Sequence, residues 1–259
     1  MNITVLGPFS ALVEGTSVSP TAGKPRQILA LLAIQAGQVV PVPTVIEEVW
    51  GDDASPKAHI TVQTYVLQLR TRLSRALGDP SAARELLVTR PGGYALLTAP
   101  DAVDAHVHDR LCAEAQAAVE QGDDTRAVTL FRRALALWRG EEDAFADVRT
   151  GALLGLEGMR LTQSRKDALE RCLAAELRLG AHECLLPELA DLTGRHPHDE
   201  GLHALFVTAL SRSGRPESAL TVCTSLRSRL DDRFGLLPSP GLRRLERELR
   251  ARLSATAGA

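Results

Sequence analysis

Between Pro56 and Leu77 the chain carries Lys57, Arg70, Arg72 and Arg75 and no acidic residue. Beside these cations stand Thr61, Thr64, Gln68 and Thr71. Clustered cations neutralise phosphates and release their counterions. Hydroxyl and amide side chains bond to base edges, and an amide such as Gln68 can meet adenine through two hydrogen bonds. Further on, Arg90 precedes Pro91-Gly92-Gly93, a turn signal that would put a guanidinium at an exposed tip, the form suited to a narrow minor groove. Taken by itself, the first stretch also reads as a solvated helix face that happens to be basic.

These side chains need elements to present them together. Val62, Tyr65, Val66, Leu69 and Leu73 fall at i, i+3, i+4, i+7 and i+11, which predicts a helix over 59–73 with one side buried. Ser55 as N-cap and Pro56 at the first helical position would open it. Upstream, Ile3–Leu6, Phe9–Val13 and Ser17-Val18 read as short antiparallel strands separated by Gly7-Pro8 and Glu14-Gly15. Arg26–Ala36 reads as an apolar helix stopped by Gly37, and Val39–Pro43 as an extended connector. Thr44 would cap a short helix to Trp50, with Glu47 and Glu48 near its positive end. Downstream, Leu87–Thr89 and Tyr94–Leu96 flank the Pro-Gly-Gly turn as a hairpin. A small sheet, three helices and a hairpin make a winged helix-turn-helix. Its long helix would lie in the major groove and Arg90 of the wing in the minor groove.

The bulk properties allow this reading without demanding it. Of 259 residues, 44% are hydrophobic and only 3% aromatic, which favours helix-on-helix packing. The net charge of −2 carries no nucleic-acid signature. Residues 1–100 hold 8 basic and 7 acidic side chains, so the cations are concentrated locally. Cys112, Cys172, Cys184 and Cys223 are scattered, the pattern of reduced thiols rather than a disulfide framework. No basic-then-apolar leader opens the chain, and no apolar run reaches the length of a membrane span. The expected location is the cytoplasm, in association with the nucleoid.

After a linker at 100–103 the texture becomes all-helical. Helices are expected at Val107–Glu120, Thr125–Trp138, Gly155–Leu179, Glu183–Arg195, Leu202–Ser213, Pro216–Phe234 and Pro240–Leu253, with Asp123 as an N-cap. Gly180 and Gly214 both close helical patterns 34 residues apart, the tetratricopeptide period. Such arrays offer concave surfaces to protein or peptide partners. A plain bundle that spaces and dimerises the first part is the alternative.

Val62–Leu73 and the segment Val88-Thr-Arg-Pro-Gly-Gly-Tyr94 resemble the output domain of OmpR/PhoB-type regulators. The resemblance implies that Thr64, Gln68 and Arg70 meet bases or phosphates and that Arg90 enters the minor groove. The family often has Arg at the position of Gln68 and a polar residue at that of Leu67. Four further marks are Ala134-Leu-Ala-Leu-Trp-Arg-Gly140, His196-Pro197, Ala209–Leu220 and Phe234-Gly-Leu-Leu-Pro-Ser-Pro-Gly-Leu242. With these, nearly the whole chain resembles the Streptomyces antibiotic regulatory protein family in its short form, which has neither a receiver domain nor the ATPase region of the large members.

The implied fold is mainly α. Residues 1–100 would form an OmpR/PhoB-type winged helix-turn-helix with a small β-sheet and wing hairpin. Residues 104–259 would form a tetratricopeptide-like, all-α bacterial transcriptional activation domain. The implied function is sequence-specific transcriptional activation of a secondary-metabolite gene cluster. Two protomers would bind promoter direct repeats in double-stranded DNA and recruit RNA polymerase through its sigma factor. The DNA contacts would come from Lys57, Thr61, Thr64, Gln68, Arg70, Thr71, Arg72, Arg75 and Arg90.

No phosphate-binding glycine loop, nucleophile elbow or zinc spacing occurs, so neither an enzyme nor a cofactor is expected. His106, His108, His196, His198 and His203 read as surface or capping residues. Two other functions fit the same pattern: a helical-repeat interaction scaffold whose winged helix does not bind DNA, and a repressor of the same fold.

Overall fold

The computed structural model describes residues 1–257, so residues 258 and 259 of the expected second segment lie outside it. The chain divides into two compact units. The first comprises residues 1–113 and 133–166, the second 114–132 and 167–259.

The first unit opens with β1 (Asn2–Thr4), β2 (Ser10–Val13) and β3 (Thr16–Ser17), an antiparallel sheet in chain order. It continues with α1 (Gly23–Ile34), β4 (Val40–Pro41), α2 (Val42–Trp50), α3 (Ala58–Leu77), α4 (Pro80–Leu86), β5 (Leu87–Arg90) and β6 (Gly93–Leu96). The second sheet has the order β4-β6-β5. The expected architecture stands, with local corrections.

Val39–Pro43 is not a bare connector. Val40 pairs with Tyr94 and Pro41 with Gly93, giving the wing sheet a third strand. A β-carbon on Gly93 would collide with the Val40 carbonyl, so this pairing needs glycine there. Helix α2 starts at Val42, before Thr44, because Pro43 in the first turn lacks an N–H that would be unpaired anyway. Ser55 and Pro56 do not cap α3. Ser55 accepts from Ala58 N at 2.9 Å, and the helix begins after that turn, with no side-chain cap. The unforeseen α4 is capped by the Asp79 side chain, which accepts from Ser81 N at 2.7 Å.

The expected linker at 100–103 is packed structure. Pro100–Ala102 is a short 3-10 turn, and Val103 is fully buried and bridges Ile3. Asp104, at the start of α5 (Asp104–Glu120), accepts from the N–H groups of Val5 and Leu6 at 2.8 and 3.2 Å. Trp138, Phe145, Val148, Leu154 and Leu161 join the same apolar core as Ile28, Leu32, Val66 and Leu69. The first unit therefore takes in more of the chain than its first hundred residues.

Glu48 is a correction of another kind. It lies outside the first turn of α2, is 3% exposed, and serves a different helix. Its carboxylate accepts from Gly151 N at 2.6 Å and Leu153 N at 2.8 Å, at the start of α7 (Ala152–Arg178). Buried carboxylates are tolerated where backbone donors and a helix N-terminus face them.

The second unit is helical. It contains the first part of α6 (Asp124–Leu135), then α8 (Leu186–Arg195), α9 (Glu200–Arg212), α10 (Pro216–Phe234) and α11 (Pro240–Ala257), together with the later turns of α7. Asp123 caps α6 through Arg126 N at 3.0 Å, as its position suggests. The 34-residue repeat has a physical form. Gly180 and Gly214 both take positive φ, 91° and 72°, and in each case the next residue's N–H reaches back five residues, Ala181 to Glu176 and Arg215 to Leu210. Arg132 of α6 donates to Glu176 and Glu188, with pairs at 2.8 Å to each.

His108 and His203 are not surface residues, since they are 0% and 2% exposed. Each replaces water by backbone partners. His108 Nδ1 lies 3.2 Å from the Ala134 carbonyl, and His203 Nδ1 lies 2.7 Å from that of Asp199.

Candidate nucleic-acid interface

Helix α3 presents two unlike sides. Ala58, Val62, Val66, Leu69 and Leu73 are buried, and Tyr65 lies half-buried against Trp50, ring to ring at 6.3 Å and 9°. At about 100° per residue, the opposite side centres on Ile60, Thr64, Leu67 and Thr71. Lys57, Gln68 and Arg75 border that centre, with Thr61 and Arg72 further round. Lys57, Thr64, Gln68, Thr71, Arg72, Arg75 and Arg90 are exposed, whereas Thr61 and Arg70 are half-buried.

Arg70 departs from the rest of the set. It lies on the flank of α3 that faces β5, not on the exposed centre. Its Nε and Nη2 donate to the Leu87 carbonyl at 2.9 and 2.7 Å, and Nη2 also donates to Thr89 Oγ1 at 2.8 Å. Burial pushes its pKa below the ordinary arginine value, opposed by nearby Tyr94 and reinforced by Arg84. The guanidinium thus fastens the wing to the long helix.

The wing itself is the hairpin β5–β6, in register from Leu87↔Leu96 to Arg90↔Gly93, with Pro91-Gly92 at its tip. Arg90 is the last residue of β5 and is exposed. Seven of the nine expected contact residues are therefore solvent-facing on one helix and one adjoining hairpin tip. Arg84, exposed in the last turn of α4, is a further cation near Arg70 that the sequence pattern did not single out. The hint lay in Asp79-Pro80, a capping pair that signals α4.

Among the described residues no group of three or more His, Cys, Asp or Glu side chains could hold a metal ion. Among the described residues no helix is long and apolar enough to cross a membrane. No disulfide joins Cys112, Cys172, Cys184 and Cys223.

Two family models match most of the chain. Residues 17–96 match the family model "Transcriptional regulatory protein, C terminal", and residues 103–250 match "Bacterial transcriptional activator domain". The chain is 46% identical to the regulatory protein DnrI of Streptomyces peucetius over 248 residues, covering 95% of this chain and 90% of that protein. It is 34% identical to the regulatory protein AfsR of Streptomyces griseus, of which it spans only 24%. Among solved structures, Mycobacterium tuberculosis EmbR in complex with a low-affinity phosphopeptide superposes with a TM-score of 0.88 at 27% identity, over 97% of this chain and 65% of that one. An exposed basic helix braced to a wing, followed by the activator domain and carried at this level of identity, is the make-up of a DNA-binding transcriptional regulator, and the chain belongs to the Streptomyces antibiotic regulatory protein family.

Proposed function

We propose that this regulator activates a secondary-metabolite gene cluster by gripping promoter direct repeats, one protomer per repeat, and recruiting RNA polymerase through its sigma factor. The observation that carries the DNA half is the exposed side of α3. From residue 57 to 77 its exposed residues include cations, hydroxyls and two amides, Gln63 and Gln68, around Ile60 and Leu67, and no carboxylate. A phosphate-lined groove attracts such a face and repels one of mixed sign.

Lys57, Arg72 and Arg75 supply phosphate contacts, whose strength falls as salt rises. Gln68 supplies direct base readout, with Thr61, Thr64 and Thr71 adding van der Waals and acceptor contacts. Arg90 enters the minor groove beside the wing. Arg70 positions that wing, so its effect on DNA is indirect. The activator domain, matched over residues 103–250, supplies the polymerase contacts.

A mobility-shift titration against promoter fragments from the neighbouring genes, at two salt concentrations, tests the DNA half. Specific retention that weakens steeply with salt is expected, and footprinting then reads the repeats. No retention at either salt would refute it and favour an interaction scaffold. A reporter driven by the bound promoter separates activator from repressor by the sign of its response.

A further inference from the structure

The outward centre of α3 offers no hydrogen-bond donor. Ile60 and Leu67 stand there 50% and 65% exposed, seven residues apart. Thr64 and Thr71 each follow one of them by four residues, and all four positions fall within about 60° around the helix axis. Both threonine hydroxyls donate to their own helix, Thr64 to Ile60 O at 3.1 Å and Thr71 to Leu67 O at 2.9 Å. What remains on the strip is apolar carbon and the lone pairs of two hydroxyls. The donors lie beside it, on Lys57, Gln68, Arg72 and Arg75 to one side and on Gln63 and Ser74 to the other, where Arg70 is held by the wing.

Base pairs answer such a strip unequally. Guanine presents N7 and O6, two acceptors that an apolar side chain would desolvate without replacement. Adenine and cytosine present amino donors that leucine cannot accept. Thymine alone presents a methyl group in the major groove.

We propose that Leu67 is a specificity residue that reads a thymine methyl in the major groove, an inference that rests on the DNA-binding reading above. Gln68 stands about 100° further round the same turn, where its amide can meet adenine. The two neighbours would then favour one thymine and one adenine within each repeat.

Replacing thymine by deoxyuridine removes that methyl and nothing else. The full chain is titrated against its footprinted promoter duplex and against versions in which each thymine of the repeat is exchanged in turn. At one thymine per repeat the exchange should weaken binding about fourfold, the worth of one buried methyl. Leu67→Ala should bind the thymine and deoxyuridine versions of that position alike. Because Leu67 is exposed, the variant should melt with the parent chain. Equal affinity for all exchanged duplexes overturns this inference and leaves DNA binding intact, as does a preference that survives in Leu67→Ala. Failure to retain any duplex overturns both together.

Discussion

The guanidinium of Arg70, on α3, grips the carbonyl oxygen of Leu87 at the start of the wing with two donors, at 2.9 and 2.7 Å. An arginine fork suits such a clasp, because its donors are fixed in one plane and stay charged. The contact is covalently remote, 17 residues away, and sets the angle between the helix and the wing. Substituting Arg70→Ala should therefore weaken DNA binding by loosening the wing. It should leave the dependence of log affinity on log salt nearly unchanged, since no phosphate contact is lost. Arg72→Ala or Arg75→Ala should each lower that slope by about one. Titrations at four or more salt concentrations measure the slopes; a drop of about one for Arg70→Ala would return it to the phosphate-binding set.

Arg90 shares no such role inside the protein, so its removal should act on DNA alone. Arg90→Ala should reduce affinity by about 1–3 kcal/mol, in the range of a lost specific groove contact, with no change in melting temperature. A parallel melting curve separates the two effects. Unchanged affinity would remove the wing tip from the interface.

What the sequence made legible, and what it left hidden, follows from the range of the forces involved. Helix α3 showed itself because burial of Val62, Val66, Leu69 and Leu73 leaves a 3.6-residue period in the chain. The wing showed itself because a two-residue hairpin needs particular turn residues. The clasp of Arg70 left no pattern, since a backbone carbonyl accepts from any arginine that can reach it. Strand β4 was missed for the same reason: two residues pair through main-chain atoms, and the prolines around them argued for a connector. Glu48 looked like an ordinary acid near a helix start and Asp104 stood before the expected helix with no role, and only the tertiary fold shows Glu48 serving α7 and Asp104 serving the N–H groups of Val5 and Leu6.

Glu48 should accordingly behave as a structural keystone of the first unit. Glu48→Ala would leave the part-buried N–H groups of Gly151 and Leu153 and the buried N–H of Leu154 without this acceptor and strip a charge from the start of α7. A loss of about 1–3 kcal/mol is expected, the cost of orphaned, partly buried donors together with a helix-end charge. Chemical denaturation of the variant measures it. A loss below about 1 kcal/mol would mean that water replaces the carboxylate without penalty.

In the second unit Arg132 stands between Glu176 and Glu188, and their hydrogen bonds raise its pKa well beyond the ordinary arginine value. Arg132→Ala leaves two carboxylates facing each other with no cation between them. The arginine is 39% exposed, so solvent screens part of the effect. A destabilisation of about 1–3 kcal/mol is expected. The double variant with Glu188→Gln should recover part of that loss, as measured by denaturant titration, and no recovery would place the cost in lost packing instead.

His203 gives the second unit a defined response to acid. Nδ1 lies 2.7 Å from the Asp199 carbonyl and Nε2 lies 3.0 Å from Arg229 Nη2, so the neutral ring donates on one side and accepts on the other. Burial lowers the His203 pKa, with the Asp199 carbonyl opposing and Arg229 assisting, and the net shift is below the ordinary 6.5. The unfolded chain therefore binds the proton at a higher pH than the folded one. Stability from this group is complete above about pH 6.5 and declines as pH falls from there through the folded value. Protonation would also place a second cation against Arg229. Melting temperature should drop between pH 7 and pH 5, and His203→Gln, which can keep an acceptor toward Arg229, should flatten that drop. His108, lowered chiefly by burial, contributes in the same direction from the first unit, so the test is the difference between parent and variant slopes rather than either slope alone. Parallel slopes would show that His203 takes up its proton without disturbing the fold.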